Sequence, residues 1–197
     1  MKNDLRKYDK TYQASRIVLT PLFKRAYRPM ILNKENIPKN GPAILCGNHL
    51  HVWDQVPVIC STDRVIHWMA KKEYFESKLA WMYKLTGCIP VDREGDASIA
   101  KNSAEEYLKD GAVVGIFPEG TINRGDGIIL PFKIGCVKMA YDTRSQIVPF
   151  VIKGKYNIFG KSVSIKFLEP FTPSDDNLDY ENNKFMDLIK NELKKEM

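Results

Sequence analysis

His49 and Asp54 stand five residues apart in Gly47-Asn48-His49-Leu50-His51-Val52-Trp53-Asp54, and their types and spacing make them a candidate acid-base pair. Five steps of an α-helix turn through about 500°, so residues at this separation do not share a face as i and i+4 residues do, and a loop must bring them together. An imidazole oriented by a carboxylate is a general base: the carboxylate selects which ring nitrogen is free and stabilises the imidazolium once the proton arrives. Proton transfer of that kind is typically worth about 10²- to 10⁴-fold in rate. A hydroxyl supplied by the substrate can then be the nucleophile, and no Ser or Cys of the chain is required. On this segment alone the pair also fits a structurally satisfied loop histidine. His49-x-His51-x-x-Asp54 contains metal-ligand residue types as well. The one other histidine, His67, falls inside an apparent strand, and no Cys has ligand spacing, so no metal site is expected.

The elements that must position the pair follow from the hydropathy pattern. Apolar, β-branched runs occur at 43–46, 65–69, 88–91, 113–117, 147–152 and 163–168. Helical stretches are expected between them at 73–85, at 96–109 with Asp96 as cap and Asp110-Gly111 as stop, and at 133–141. This alternation predicts an α/β fold, a single domain with a mostly parallel central sheet flanked by helices. His49 would then sit just past the end of the first run, with Asp54 opening the next helix, and strand ends of open α/β sheets are where sites form. Pro149 in the fifth run would be confined to a sheet edge or bulge. From Asn182 onward, Phe185, Leu188, Ile189 and Leu193 recur at helical spacing, reached through the Pro-, Ser- and Asp-rich loop 170–177.

Four segments in order resemble the blocks of the glycerolipid acyltransferases, the 1-acylglycerol-3-phosphate (lysophosphatidate) acyltransferase group. They are Asn48-His49-x4-Asp54, Gly87-Cys88-Ile89-Pro90-Val91-Asp92-Arg93, Phe117-Pro118-Glu119-Gly120-Thr121 and Ile147-Val148-Pro149-Phe150. Met69-Ala70-Lys71-Lys72-Glu73 and Pro131-Phe132-Lys133-x-Gly135 resemble that family's connecting segments, and the likeness runs from about Glu35 to about Gly154. It implies transfer of a fatty acyl group from acyl-CoA or acyl-carrier protein to the free hydroxyl of 1-acyl-glycerol-3-phosphate. His49 would act as base and Asp54 as its partner, and without an acyl-enzyme the kinetics would be sequential. No cofactor is implied, since the thioester is a substrate.

The remaining site residues are carried by the same blocks. Arg93 follows a buried run, and a guanidinium suits bidentate phosphate binding, although a surface ion pair with Asp92 is the alternative. Resemblance assigns it to the acceptor's phosphate, and Lys133, otherwise an ordinary surface lysine at the start of a helix, to the same group. Glu119, Gly120 and Thr121 form either an ordinary turn or, by resemblance, the acceptor site, in which Glu119 accepts from a glycerol hydroxyl and Gly120 lets the backbone approach. Ile122 stands where the family often has Arg, while Arg124 keeps a second basic position. The same chemistry on glycerol-3-phosphate or another lysophospholipid, or a non-catalytic lipid-binding protein on this scaffold, are the alternatives.

Bulk properties bound the partners. The 197 residues carry a formal charge of +6. That favours acidic partners. Residues 1–35 hold nine Lys or Arg against three acids, interleaved with Ile17-Val18-Leu19, Leu22-Phe23 and Ala26-Tyr27. This basic amphipathic segment, a short helix broken or kinked near Pro21, either lies on an anionic membrane surface or covers the domain's own core. The expected division is therefore 1–34 as this segment, 35–170 as the catalytic core, and 171–197 as a loop and a closing helix packed on the core. The four cysteines stand in apolar contexts without C-x-x-C spacing and are expected reduced. The N-terminus makes a poor secretory signal, and no run reaches the roughly 18 to 20 apolar residues of a spanning helix. The expected location is cytoplasmic, peripheral to the inner face of the membrane. No nucleotide-binding glycine motif, RNA-binding aromatic signature or helix-turn-helix pattern is present, so no nucleic-acid partner is expected.

Overall fold

The protein is described from a computed structural model covering residues 6–158 and 163–195. In chain order its elements are α1 (Arg6–Tyr27), β1 (Met30–Leu32), β2 (Ala43–Gly47), α2 (Gln55–Ile59), β3 (Ile66–Lys71), α3 (Ala80–Leu85) and β4 (Ile89–Val91). They continue with α4 (Ala97–Lys109), β5 (Val113–Ile116), α5 (Gly135–Thr143), β6 (Gln146–Gly154), β7 (Val163–Phe167) and α6 (Leu178–Lys194). The described residues form one seven-stranded sheet in the order β1-β7-β6-β2-β5-β3-β4. The run from β6 to β4 is wholly parallel; β7 is antiparallel to β6, and β1 is parallel to β7.

Strand β2 lies in the middle of the sheet and is buried along its whole length. Its side chains alternate as a strand requires: Ile44 and Cys46 join the core beneath α4, α5 and α6, while Ala43 and Leu45 join the core on the opposite face, with Tyr12 of α1 and Val58 of α2. A two-sided core of this kind explains why the strand reads as a continuous apolar run without alternation. Where β2 leaves the sheet, Gly47 is indispensable, because a Cβ there would collide with the carbonyl oxygen and ring of Phe150 on β6. The α4 boundaries match the sequence reading. Asp96 caps the helix by accepting from the Ser98 amide at 2.8 Å, and Gly111 closes it with φ 84°.

Several elements differ from the sequence expectation. The N-terminal helix runs through Pro21 for 22 residues and ends at Tyr27. Pro29 ends it, since the residue before a proline is pushed out of the α region and Arg28 adopts φ 43°. Its apolar residues divide by face: Tyr12 and Phe23 are buried in the domain's core, whereas Ile17, Val18 and Leu22 are more than 60% exposed. Residues 30–32, expected to lie outside the core, form β1 against β7. The stretch 73–85 is interrupted, with a 3₁₀ turn at Lys72–Glu76 and a fresh start at Ala80. Ser77 causes the break: its hydroxyl donates to the Tyr74 carbonyl and accepts from the Leu79 amide, offering the backbone an alternative to the helix. Pro149 sits in central β6 beside a bulge in its partner: Leu168 donates to the Pro149 carbonyl at 2.8 Å without a reciprocal bond, and the pairing shifts by one residue between Phe150–Phe167 and the Ile147–Phe171 bridge. Helix α6 buries Phe185 and Ile189 in the core, and all four cysteines are free thiols.

Candidate active site

His49 lies two residues past β2, at the carboxyl end of the parallel strands where the chain departs to opposite sides of the sheet. His49 Nδ1 lies 2.9 Å from Asp54 Oδ2. A carboxylate pairs with a donor, so this contact places the proton on Nδ1 and leaves the lone pair of neutral imidazole on Nε2. Asp54 has no solvent exposure, whereas the His49 side chain is 16% exposed. The partner is therefore sealed in while the base is reachable.

The loop wraps the Asp54 carboxylate. Oδ2 also accepts from the amides of Leu50 at 2.6 Å and His51 at 2.7 Å, and Oδ1 accepts from the Tyr156 hydroxyl at 2.7 Å. Asp54 occupies the position before α2 yet makes no capping bond to that helix; its side chain turns back into its own loop. Four donors on one buried carboxylate give the compensation that burying a charge requires.

The backbone of His49 is clamped from the loop after β5. Its amide donates to Glu119 Oε1 at 2.7 Å, and its carbonyl accepts from the Asn123 amide at 2.8 Å. The His49 ring stacks on Phe117 with centroids 4.0 Å apart and planes 9° apart. On the other side, the buried Asn48 amide exchanges two hydrogen bonds with the backbone of Ile152 on β6, at 2.9 and 2.8 Å. The imidazole is thus held from three adjacent strands.

The other residues expected at the site are placed unequally. Glu119 is 5% exposed, and its second oxygen accepts from the Leu130 amide at 2.7 Å. Each oxygen accepts from a backbone amide, so Glu119 positions the His49 loop, and each keeps a second lone pair. Burial pushes its carboxyl above the ordinary range, and the amides of Leu130 and His49 oppose that push. Gly120 has φ 70°, and the Lys133 side chain lies across it, within 3.2 Å of where a Cβ would stand. Lys133 is exposed and belongs to the loop before α5, not to the helix: its amide donates to the Pro118 carbonyl at 2.9 Å. Thr121 is exposed beside Gly120.

Arg93 is not brought to the dyad. It follows β4 at the sheet's end, three strands from β2, or about 14 Å at the usual spacing of about 4.8 Å. Asp92 bonds Lys72 at 3.1 Å and accepts from the Glu94 and Gly95 amides, so the Arg93–Asp92 pair does not form and Arg93 is exposed. A cavity of about 760 Å³ opens on this side, lined among others by Tyr8, Phe75, Leu85, Cys88, Pro90 and Ile99; His49 and Asp54 do not line it. His67 is a core residue: its Nδ1 is 2.8 Å from the Gly87 carbonyl, its ring stacks on Tyr107 at 3.9 Å, and burial lowers its pKa. No group of three or more His, Cys, Asp or Glu among the described residues is disposed to hold a metal ion.

Tyr156 and Asn123 escaped the sequence reading. Asn123 is legible only as a turn former before Arg124-Gly125, and Tyr156 carries no local signal at all.

The chain is 32% identical over 126 residues to the 1-acyl-sn-glycerol-3-phosphate acyltransferase of Bacillus subtilis, covering 63% of this chain and 62% of that protein. It is 32% identical over 137 residues to the protein of the same name from Borreliella burgdorferi, covering 68% and 54%. The chain thus spans between about half and two thirds of the length of these curated relatives. In fold it is similar to the crystal structure of the 1-acyl-sn-glycerophosphate (LPA) acyltransferase of Thermotoga maritima, with a TM-score of 0.74 and 24% identity over 96% of this chain and 83% of that one. The model of the Acyltransferase family matches residues 28–153, a span that holds β2, the His49–Asp54 loop and the Glu119 clamp, and the chain belongs to that family.

Proposed function

We propose that the protein transfers a fatty acyl group from a thioester, acyl-CoA or acyl-carrier protein, to the free hydroxyl of 1-acyl-glycerol-3-phosphate, giving phosphatidate. The observation that carries this reading is the reachable His49 imidazole with its Nδ1 on a fully buried Asp54. The names of the relatives support the acceptor. His49 Nε2 removes the hydroxyl proton, and the hydroxyl oxygen attacks the thioester carbonyl. The C–S bond breaks as the ester C–O bond forms, and the thiolate takes the proton from His49. The Asp54 charge stabilises the imidazolium between the two transfers. No residue of the chain is acylated, so the kinetics are sequential.

Lys133 over Gly120 and Arg93 beyond β4 place two exposed cations along the same edge of the sheet, which suits a phosphate-bearing acceptor. Glu119, Thr121 and the Gly120 backbone are the groups for the glycerol end. Helix α1 exposes Ile17, Val18 and Leu22 together with Lys10, Lys24 and Arg25, with Arg28 exposed just past its end, a composition suited to the interface of an anionic membrane. No helix among the described residues is long and apolar enough to cross a membrane. The inner face of the membrane is the proposed working place.

Mass spectrometry of products tests the reading. Wild type and His49→Ala are each incubated with lysophosphatidate and a panel of acyl-CoA and acyl-carrier-protein donors. Phosphatidate from the wild type alone is expected, and equal product from a folded His49→Ala protein would overturn the mechanism. Ile122 motivates a second acceptor panel of glycerol-3-phosphate and other lysophospholipids. Product there and none with lysophosphatidate would reassign the acceptor.

A further inference from the structure

The two oxygens of Asp54 have unequal company. Three donors, His49 Nδ1 and the amides of Leu50 and His51, converge on Oδ2. Among the described residues, Oδ1 receives its hydrogen bond from the Tyr156 hydroxyl at 2.7 Å. The aspartate χ2 torsion is broad, and donors gathered on one oxygen leave the carboxylate plane free to swing about it. A donor on the other oxygen fixes that plane.

Tyr156 is well placed to do so. It lies just beyond β6, 102 residues from Asp54, and its ring stacks on His51 at 4.8 Å. Two rings of α1 support it, Tyr27 edge-on at 5.8 Å and Phe23 at 6.3 Å. Burial, and then the neighbouring Asp54 charge, push the phenol far above its ordinary range, so the hydroxyl remains a donor wherever the enzyme works.

We propose that Tyr156 is a positioning residue of the catalytic base: its hydroxyl holds Asp54 Oδ1, fixes the carboxylate plane, and so sets the tautomer and aim of His49. The inference rests on His49 acting as the base. Because Phe23 and Tyr27 belong to α1, the helix with the exposed basic and apolar face also supports the back of the catalytic dyad. The titratable groups around Asp54 are His49 and His51 in its own loop, Glu119 beyond β5, Tyr156 beyond β6 and, behind Tyr156, Tyr27 of α1. Without the phenol, a buried carboxylate oxygen loses its donor and the His49–Asp54 pair holds a proton more tightly.

The test compares wild type, Tyr156→Phe and His49→Ala in acyl transfer to lysophosphatidate, with kcat, both KM values and the pH profile measured. Tyr156→Phe keeps the ring contacts and removes the hydroxyl. The expected result is a fall in kcat of about tenfold, part of the about 10²- to 10⁴-fold that a positioned base supplies. Both KM values stay within about twofold, since no substrate contact is removed. The acid limb of the kcat profile moves to higher pH, which a purely structural loss would not produce. Unchanged kcat in Tyr156→Phe beside an inactive His49→Ala overturns this inference alone; an active His49→Ala overturns the proposed function with it. A rise in KM at constant kcat also overturns the inference. Should Tyr156→Phe melt well below the wild type, Tyr27→Leu carries the test. It is expected to lower kcat about two- to threefold at unchanged KM, and no change would count against the role.

Discussion

Asp54→Asn separates the charge of the buried carboxylate from its hydrogen bonds. An asparagine can keep its carbonyl oxygen where Oδ2 receives His49 Nδ1 and the Leu50 and His51 amides, and turn its NH₂ toward Tyr156, whose hydroxyl can accept as well as donate. The loop and the His49 tautomer are therefore retained, and the loss is the attraction between carboxylate and imidazolium. Two unit charges about 4 Å apart at an effective dielectric of about 20 interact by about 4 kcal/mol. At about 1.4 kcal/mol per decade, that is a fall in kcat of about 10³-fold. Asp54→Ala is a poorer probe, because it strands four donors. At about 1 to 3 kcal/mol each, their loss is comparable with the whole stability of a domain, about 5 to 15 kcal/mol. The assay is steady-state acyl transfer by Asp54→Asn, with urea unfolding to verify the fold. A folded Asp54→Asn protein with kcat within threefold of the wild type would refute the assignment of Asp54 as the charge partner of the base.

Glu119→Gln forces an NH₂ against either the His49 or the Leu130 amide, two donors facing each other. It should lower stability by about 2 kcal/mol in urea unfolding and reduce kcat more than KM; normal stability would mean that the clamp is dispensable. Arg93→Ala should raise the KM for lysophosphatidate about tenfold or more, as loss of a charged phosphate contact does, and an effect confined to the acyl donor would contradict that role. The folded-state pKa of His67 is lowered, so above the unfolded value of about 6.5 neither state binds the proton and nothing is lost. As pH falls below about 6.5 the unfolded chain binds a proton that the folded one resists, and stability declines. Urea midpoints at pH 7.5 and 5.5 should differ less in His67→Gln than in the wild type, and an equal difference would exclude His67 as the source.

Local signals carried well where one element decided its own conformation. The cap at Asp96 and the stop at Gly111 are both made within a few residues of chain, and β2 is buried because its own residues are apolar on both faces. Ser77 broke an expected helix because a hydroxyl competes for backbone bonds at short range, which residue type alone could have suggested. By contrast, β1 is three residues long, too short for any periodic pattern, and exists through its pairing with β7, 134 positions away between Met30 and Ser164. The path of α1 through Pro21 is of the same kind, since Tyr12 and Phe23 anchor both sides of the proline in the core.

The candidate site divides along the same line. The types and spacing of His49 and Asp54 determined by themselves that a loop would join an imidazole to a carboxylate, because five residues cannot share a helical face and the neighbouring apolar run ends at Gly47. Only the tertiary structure decided how that pair is held. Glu119 reaches the His49 amide across 70 residues and Tyr156 reaches Asp54 across 102. Those contacts exist because β5 and β6 flank β2 in parallel and deliver the three loops to one edge. A hydrogen bond has no sequence signature at that separation, so the parallel sheet, and not the motif, sets the geometry of the base.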